Sequence, residues 1–169
     1  MLLAALVLAL TMTPMNPGFH QTLLCNHGRV TIDVADAHPA AVPHGVLVTT
    51  TVSVGTRPAR TQAIREADAA GNIYARGYVV ESGFKSFSKQ LLLPAVPPQP
   101  GQVSSYSSIS GDTIEKRYEG RSGAGYVFSD YYGGHKLNSV TYVPSIGVTE
   151  ARFNALLPDG SDLVCRPSA

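Results

Sequence analysis

Tryptophan is absent from this chain, charged side chains make up only 15 % of it, and cysteine occurs twice. Thirteen Lys and Arg stand against twelve Asp and Glu, and no stretch gathers the cations together. The counterion release that drives nucleic-acid binding therefore has no basic patch to act through, and nucleic acid is not an expected partner. No apolar run reaches the roughly 20 residues that a bilayer-crossing helix needs, so no membrane span is expected in the mature protein. G-x-S-x-G, H-E-x-x-H and C-x-x-C are all missing. The main nucleophilic and metal-dependent signatures go with them, and no cofactor is expected. What is abundant is Gly, Ser, Thr and Val, a profile suited to strands and turns and poor for helical bundles.

The apolar run Leu2–Leu10 has the length of the h-region of a secretory leader, and Thr11-Met12-Thr13-Pro14 follows it. Residues 1–19 are thus expected to act as a signal peptide and 20–169 to form the mature domain, periplasmic or secreted. A lipoprotein anchor is excluded because Leu23-Leu24 precede Cys25, where a small residue is required. A pilin-type leader is excluded because the apolar run precedes Gly18-Phe19 instead of following it. In an oxidising compartment the two cysteines, Cys25 and Cys165, are expected to form one bridge, which sets the two terminal strands side by side.

Along the chain, Val30, Ile32 and Val34 alternate with polar residues, and Val46, Val48, Val52 and Val54 share one face of a β-branched run. Arg57–Asn72 reads either as a helix with an alanine face or, preferred here, as part of a hairpin turning at Asp68–Asn72. Further strands are expected at Phe84–Leu93, Tyr126–Tyr132, Leu137–Val143, Thr149–Leu157 and Leu163–Cys165. Pro94–Gly101 is a stiff loop, better read as a long crossover than as a domain boundary. The expected fold is all-β: a single-domain barrel or sandwich of about eight short antiparallel strands.

Ser82-Gly83-Phe84-Lys85 and Ser86-Phe87-Ser88-Lys89 spell S-x-x-K, but a strand sends the two functional groups to opposite faces. The five histidines lack ligand spacing, and most sit beside loop signals. Ser122-Gly123-Ala124-Gly125-Tyr126 fits S-G-x-x-Y and thereby resembles the periplasmic and membrane-bound inhibitors of C-type lysozyme. Cys25–Ile32 resembles that family's first strand, which begins with a cysteine, and Cys165 its closing cysteine. The resemblance covers three short islands and leaves Pro39–Pro100 unmatched. It implies that Ser122 and Tyr126, on the loop at Gly123, enter an enzyme cleft and that Lys136 joins them there. The plain alternative is an ordinary turn with Tyr126 in the core.

These observations lead to the expectation of an exported, non-enzymatic binding protein with a protein partner, which the resemblance implies is a lysozyme-type glycosidase inhibited by loop insertion. The alternative is a structural or adhesive envelope protein that uses its Tyr/Ser/Gly-rich half as a contact surface.

Overall fold

The computed structural model describes residues 11–168 and consists of strands and their connections. In chain order the strands are β1 (His20–Cys25), β2 (Gly28–Asp36), β3 (Val46–Val54), β4 (Arg57–Ala67), β5 (Ile73–Val80) and β6 (Gly83–Leu93). The second half supplies β7 (Val103–Ser107), β8 (Thr113–Ser122), β9 (Gly125–Tyr132), β10 (His135–Val143), β11 (Gly147–Phe153) and β12 (Leu163–Pro167). All join one antiparallel sheet in the order β6-β5-β4-β3-β2-β1-β12-β11-β10-β9-β8-β7. Each strand thus lies beside its sequence neighbour, and the last returns to the first. No helix among the described residues is long and apolar enough to cross a membrane.

The sheet curls into a barrel-like form, bringing its two edges, β6 and β7, alongside each other. Their meeting has no backbone ladder and is closed by side chains instead. Gln90 accepts from Ser107 N at 2.7 Å and donates to Ser107 Oγ at 3.1 Å, and Tyr78 Oη donates to Ser107 O at 3.0 Å. The Pro94–Gly101 segment joins these two edge strands. Proline cannot donate to a ladder, so a proline-rich segment suits this unpaired seam.

Twelve strands stand where about eight were expected. β1 lies in sequence directly behind the leader-like stretch, β7 is short and serine-rich, and β8 carries five charges among its ten residues. None of the three shows the apolar alternation that marks a half-buried strand. The Arg57–Asn72 stretch is β4 and the turn of a hairpin with β5, and its register runs Ala63↔Tyr78 to Ala67↔Ile73.

Two apolar clusters fill opposite sides of the interior. One gathers Ile73, Leu92, Leu93, Tyr118 and Phe128, and the other Leu23, Val30, Val148, Ala151 and Leu163. Met12 is 1 % exposed and completes the first cluster, its flexible thioether side chain filling the space that the strands leave. The run Leu2–Leu10 lies outside the described residues; Thr11–Phe19 belong to the folded unit, with Gly18 N donating to Val34 O at 2.8 Å. Cys25 and Cys165 are register partners on β1 and β12 and are joined by a disulfide, so the first and last strands are bonded as expected. Chain remains on both sides of the bridge, so it joins the terminal strands and not the chain ends.

Candidate functional site

Ser122, Gly123 and Ala124 form the exposed tip of the β8–β9 hairpin. Gly123 has φ +58° at the first central position of this two-residue turn, where a type II′ hairpin favours glycine. Gly125 is needed for a different reason, because a Cβ there would lie 2.5 Å from the Thr141 side chain. Tyr126 does not project from the tip. It is half-buried, packs against the Tyr118–Phe128 cluster and has its ring 6.4 Å from that of Tyr118, with the Arg121 guanidinium 5.4 Å from its own centroid.

Lys136 stands at the other end of the strands. Ser122 pairs with Gly125 and Lys136 with Tyr131, which puts about 20 Å of β9 between their backbones at roughly 3.4 Å per residue, although the Lys136 side chain reaches back towards the middle of β8. Its ammonium lies 3.3 Å from Glu119 and 5.7 Å from the Tyr131 ring centre, and Tyr131 donates to Glu119 at 2.7 Å. Burial alone pushes the Glu119 pKa up, but the bonds from Tyr131 and Lys136 and the lysine's charge hold it below its ordinary value. The fold therefore keeps Ser122 and Gly123 together, sets Tyr126 into the wall beside them and separates Lys136 from all three.

The groups that converge lie inside the barrel, between the two apolar clusters. Lys116 and Asp130 are register partners on β8 and β9, with Nζ 2.6 Å from Oδ1 and side chains only 6 % and 10 % exposed. Asn138 on β10 donates Nδ2 to Asp130 Oδ2 at 3.0 Å, while its buried Oδ1 has no partner. The Tyr106 ring centre lies 5.4 Å from the Lys116 ammonium. Burial, reinforced by the charge of Asp130, pushes the Tyr106 pKa up. Burial does the same for Tyr78, with Arg65 opposing and Asp130 assisting. Both phenols thus remain neutral hydrogen-bonding groups at physiological pH.

These side chains line a cavity of about 280 Å³, which also meets Thr50, Ala63, Ala75 and Tyr142. Arg65 lines it too, and shares with Thr50, Asn138 and Tyr142 the lining of an adjoining cavity of about 190 Å³. Among the described residues Arg65 makes no ion pair and no side-chain hydrogen bond; the neighbouring Glu66 is taken by Arg76 and Lys89. The larger depression, about 440 Å³ between His27, Gly55 and Asp159, is an open dish formed by turns with few ionisable groups. The interior carries the richer chemistry. Among the described residues no three His, Cys, Asp or Glu gather as metal ligands.

No protein-family model matches the chain. No curated protein and no solved structure matches it either. The site must therefore be read from its own chemistry.

Reading the sequence alone singled out none of Arg65, Lys116, Asp130 and Asn138. A signal exists in the alternation: Ile114, Lys116 and Tyr118 share one face of β8, as Phe128 and Asp130 share one face of β9. A charge within an apolar stripe on both arms of one hairpin marks an inward-facing pair.

Proposed function

We propose that this is an exported, non-enzymatic binding protein that takes a small molecule into the interior of its barrel. The observation that carries this reading is the cavity at Arg65, where a cation without a partner among the described residues faces space beside the Lys116–Asp130–Asn138 group. Arg65 is half-buried and shares the inward face of β4 with Ala63, where a lining built for stability alone would be apolar. A polar chamber opening onto an apolar lobe offers both the convergent polar groups and the apolar surface of a usual ligand site. The carboxylate and the ammonium of the lining, Asp130 and Lys116, are tied to each other at 2.6 Å, an arrangement that favours holding a ligand over reacting with it. Export is supported by the leader-like run and the disulfide. The strands also carry exposed charges such as Arg29, Arg60, Lys85, Lys89, Glu115 and Arg166, unlike the apolar outer band of a lipid-facing barrel.

Anilinonaphthalene sulfonate, which fluoresces in apolar cavities, tests the site directly. The folded protein is expected to bind it saturably at one site, and Ala63→Phe, which fills the cavity from β4, to lose that binding while still melting cooperatively. No saturable signal, or an unchanged signal in Ala63→Phe, would overturn the reading.

Inhibition of a lysozyme-type hydrolase is the second reading, supported by the exposed Ser122–Ala124 tip. A rigid two-residue turn loses little freedom when it enters a cleft. On this reading Ser122→Ala weakens lysozyme inhibition by about 2 kcal/mol without changing the melting temperature. A parent protein that does not inhibit lysozyme removes the reading.

A further inference from the structure

We infer that the ligand is an aliphatic carboxylate, with its head group on Arg65 and its chain in the smaller, apolar lobe. The inference rests on the cavity being the ligand site proposed above.

Charge comes first. The ionisable cations and anions of the lining are Arg65, Lys116 and Asp130, and the last two neutralise each other at 2.6 Å. One positive charge therefore remains, and it is a guanidinium. Its planar fork matches a carboxylate through two parallel hydrogen bonds, a geometry that an ammonium does not offer. A single cation suits a monoanion; a phosphate dianion would call for more positive charge than the lining contains.

Shape comes second. Arg65 stands where the two cavities adjoin, and beyond it Leu23, Val30, Ile32, Val140, Val148 and Phe153 line the 190 Å³ lobe. At about 30 Å³ per water-sized group, that lobe accepts a chain of about six carbons. A small inorganic anion would satisfy Arg65 and leave this lobe empty, whereas a neutral alkane or alcohol would fill the lobe and leave Arg65 unpaired. An aliphatic carboxylate answers both features at once.

Octanoate, 1-octanol and octylammonium share one chain length and differ in the head group, so titrating each against the folded, disulfide-bonded protein isolates the role of charge. Octanoate is expected to bind about tenfold or more tightly than octanol, the ratio a charge-assisted hydrogen bond supplies, with octylammonium weakest. Arg65→Met, which keeps the length of the side chain and removes its charge, is expected to abolish the preference for octanoate while leaving octanol binding in place. It is also expected to melt no lower than the parent, because no partner among the described residues loses a bond.

Octanoate and octanol binding equally, or a preference that survives in Arg65→Met, would overturn the carboxylate assignment. An Arg65→Met variant that melts well below the parent would show a structural partner for the guanidinium and overturn it too. If anilinonaphthalene sulfonate binds and Ala63→Phe removes it, that failure belongs to the ligand class alone. If the dye also fails to bind, the cavity reading fails with it.

Discussion

Asp130 is held by two donors, the Lys116 ammonium at 2.6 Å and the Asn138 amide at 3.0 Å, in an interior that water scarcely reaches. Such a pair contributes little net stability compared with an apolar pair of the same size, because both charges lose their hydration. Removing one partner is a different matter. Asp130→Ala strands a buried ammonium and is expected to cost about 3–5 kcal/mol in urea denaturation, whereas Lys116→Met combined with Asp130→Leu should cost far less. Equal losses in the single and double variants would mean that the pair is not electrostatically coupled. At this scale the sequence was least legible. The residues of the S-G-x-x-Y motif are adjacent in sequence, yet Tyr126 turns into the wall and the Lys136 ammonium is taken by Glu119. Lys116 and Asp130 meet across one hairpin, but Arg65 lies far from both in the chain, and only the closing of the barrel brings it to the same cavity.

Among the elements, the β4–β5 hairpin shows how a turn can be fixed by one carboxylate. Asp68 accepts from Ala70 N at 3.0 Å, Asn72 N at 2.9 Å, Asn72 Nδ2 at 2.9 Å and Tyr74 Oη at 3.0 Å. The Asn72 side chain is the chief cause that lowers the Asp68 pKa from 3.8 to about 2, against an opposing effect of burial. A carboxyl depressed in this way binds its proton more tightly in the unfolded chain. Its stabilisation is therefore complete above the ordinary value of 3.8 and fades as pH falls towards about 2. The melting temperature of Asp68→Ala is expected to lie below the parent's at about pH 6 and to converge with it near the acid end of that window. A gap of constant size down to the acid limit would assign the turn's stability to something other than the ionised carboxylate. Asp-to-Asn spacing at 68–72 made this turn readable in advance, as valine alternation did for β2 and β3. β8 was not readable, because its outward residues Glu115, Arg117 and Glu119 hide the inward stripe of Ile114, Lys116 and Tyr118.

For the whole molecule, the meander is cyclic: β12 pairs with β1 through the disulfide, and the seam at β6 and β7 is the one junction of adjacent strands that lacks a backbone ladder. The all-β class and the bridge between terminal strands were legible, since composition, turn residues and two distant cysteines each constrain the entire chain. The seam was not, because its closure depends on the side chains of Gln90 and Ser107 and not on any pattern of apolar residues. The bridge also decides how the molecule bears load. Cys25 and Cys165 are 140 residues apart in sequence but joined by one covalent bond. Tension applied to the two ends, as between a cell surface and an attached body, passes through that bond and bypasses residues 26–164. Strands β2 to β11 then stay slack while the tether is taut, but Met12, Thr13 and Leu23 precede the bridge and bear the load, so pulling opens the apolar lobe beside Arg65 and frees what it holds before the rest of the barrel yields.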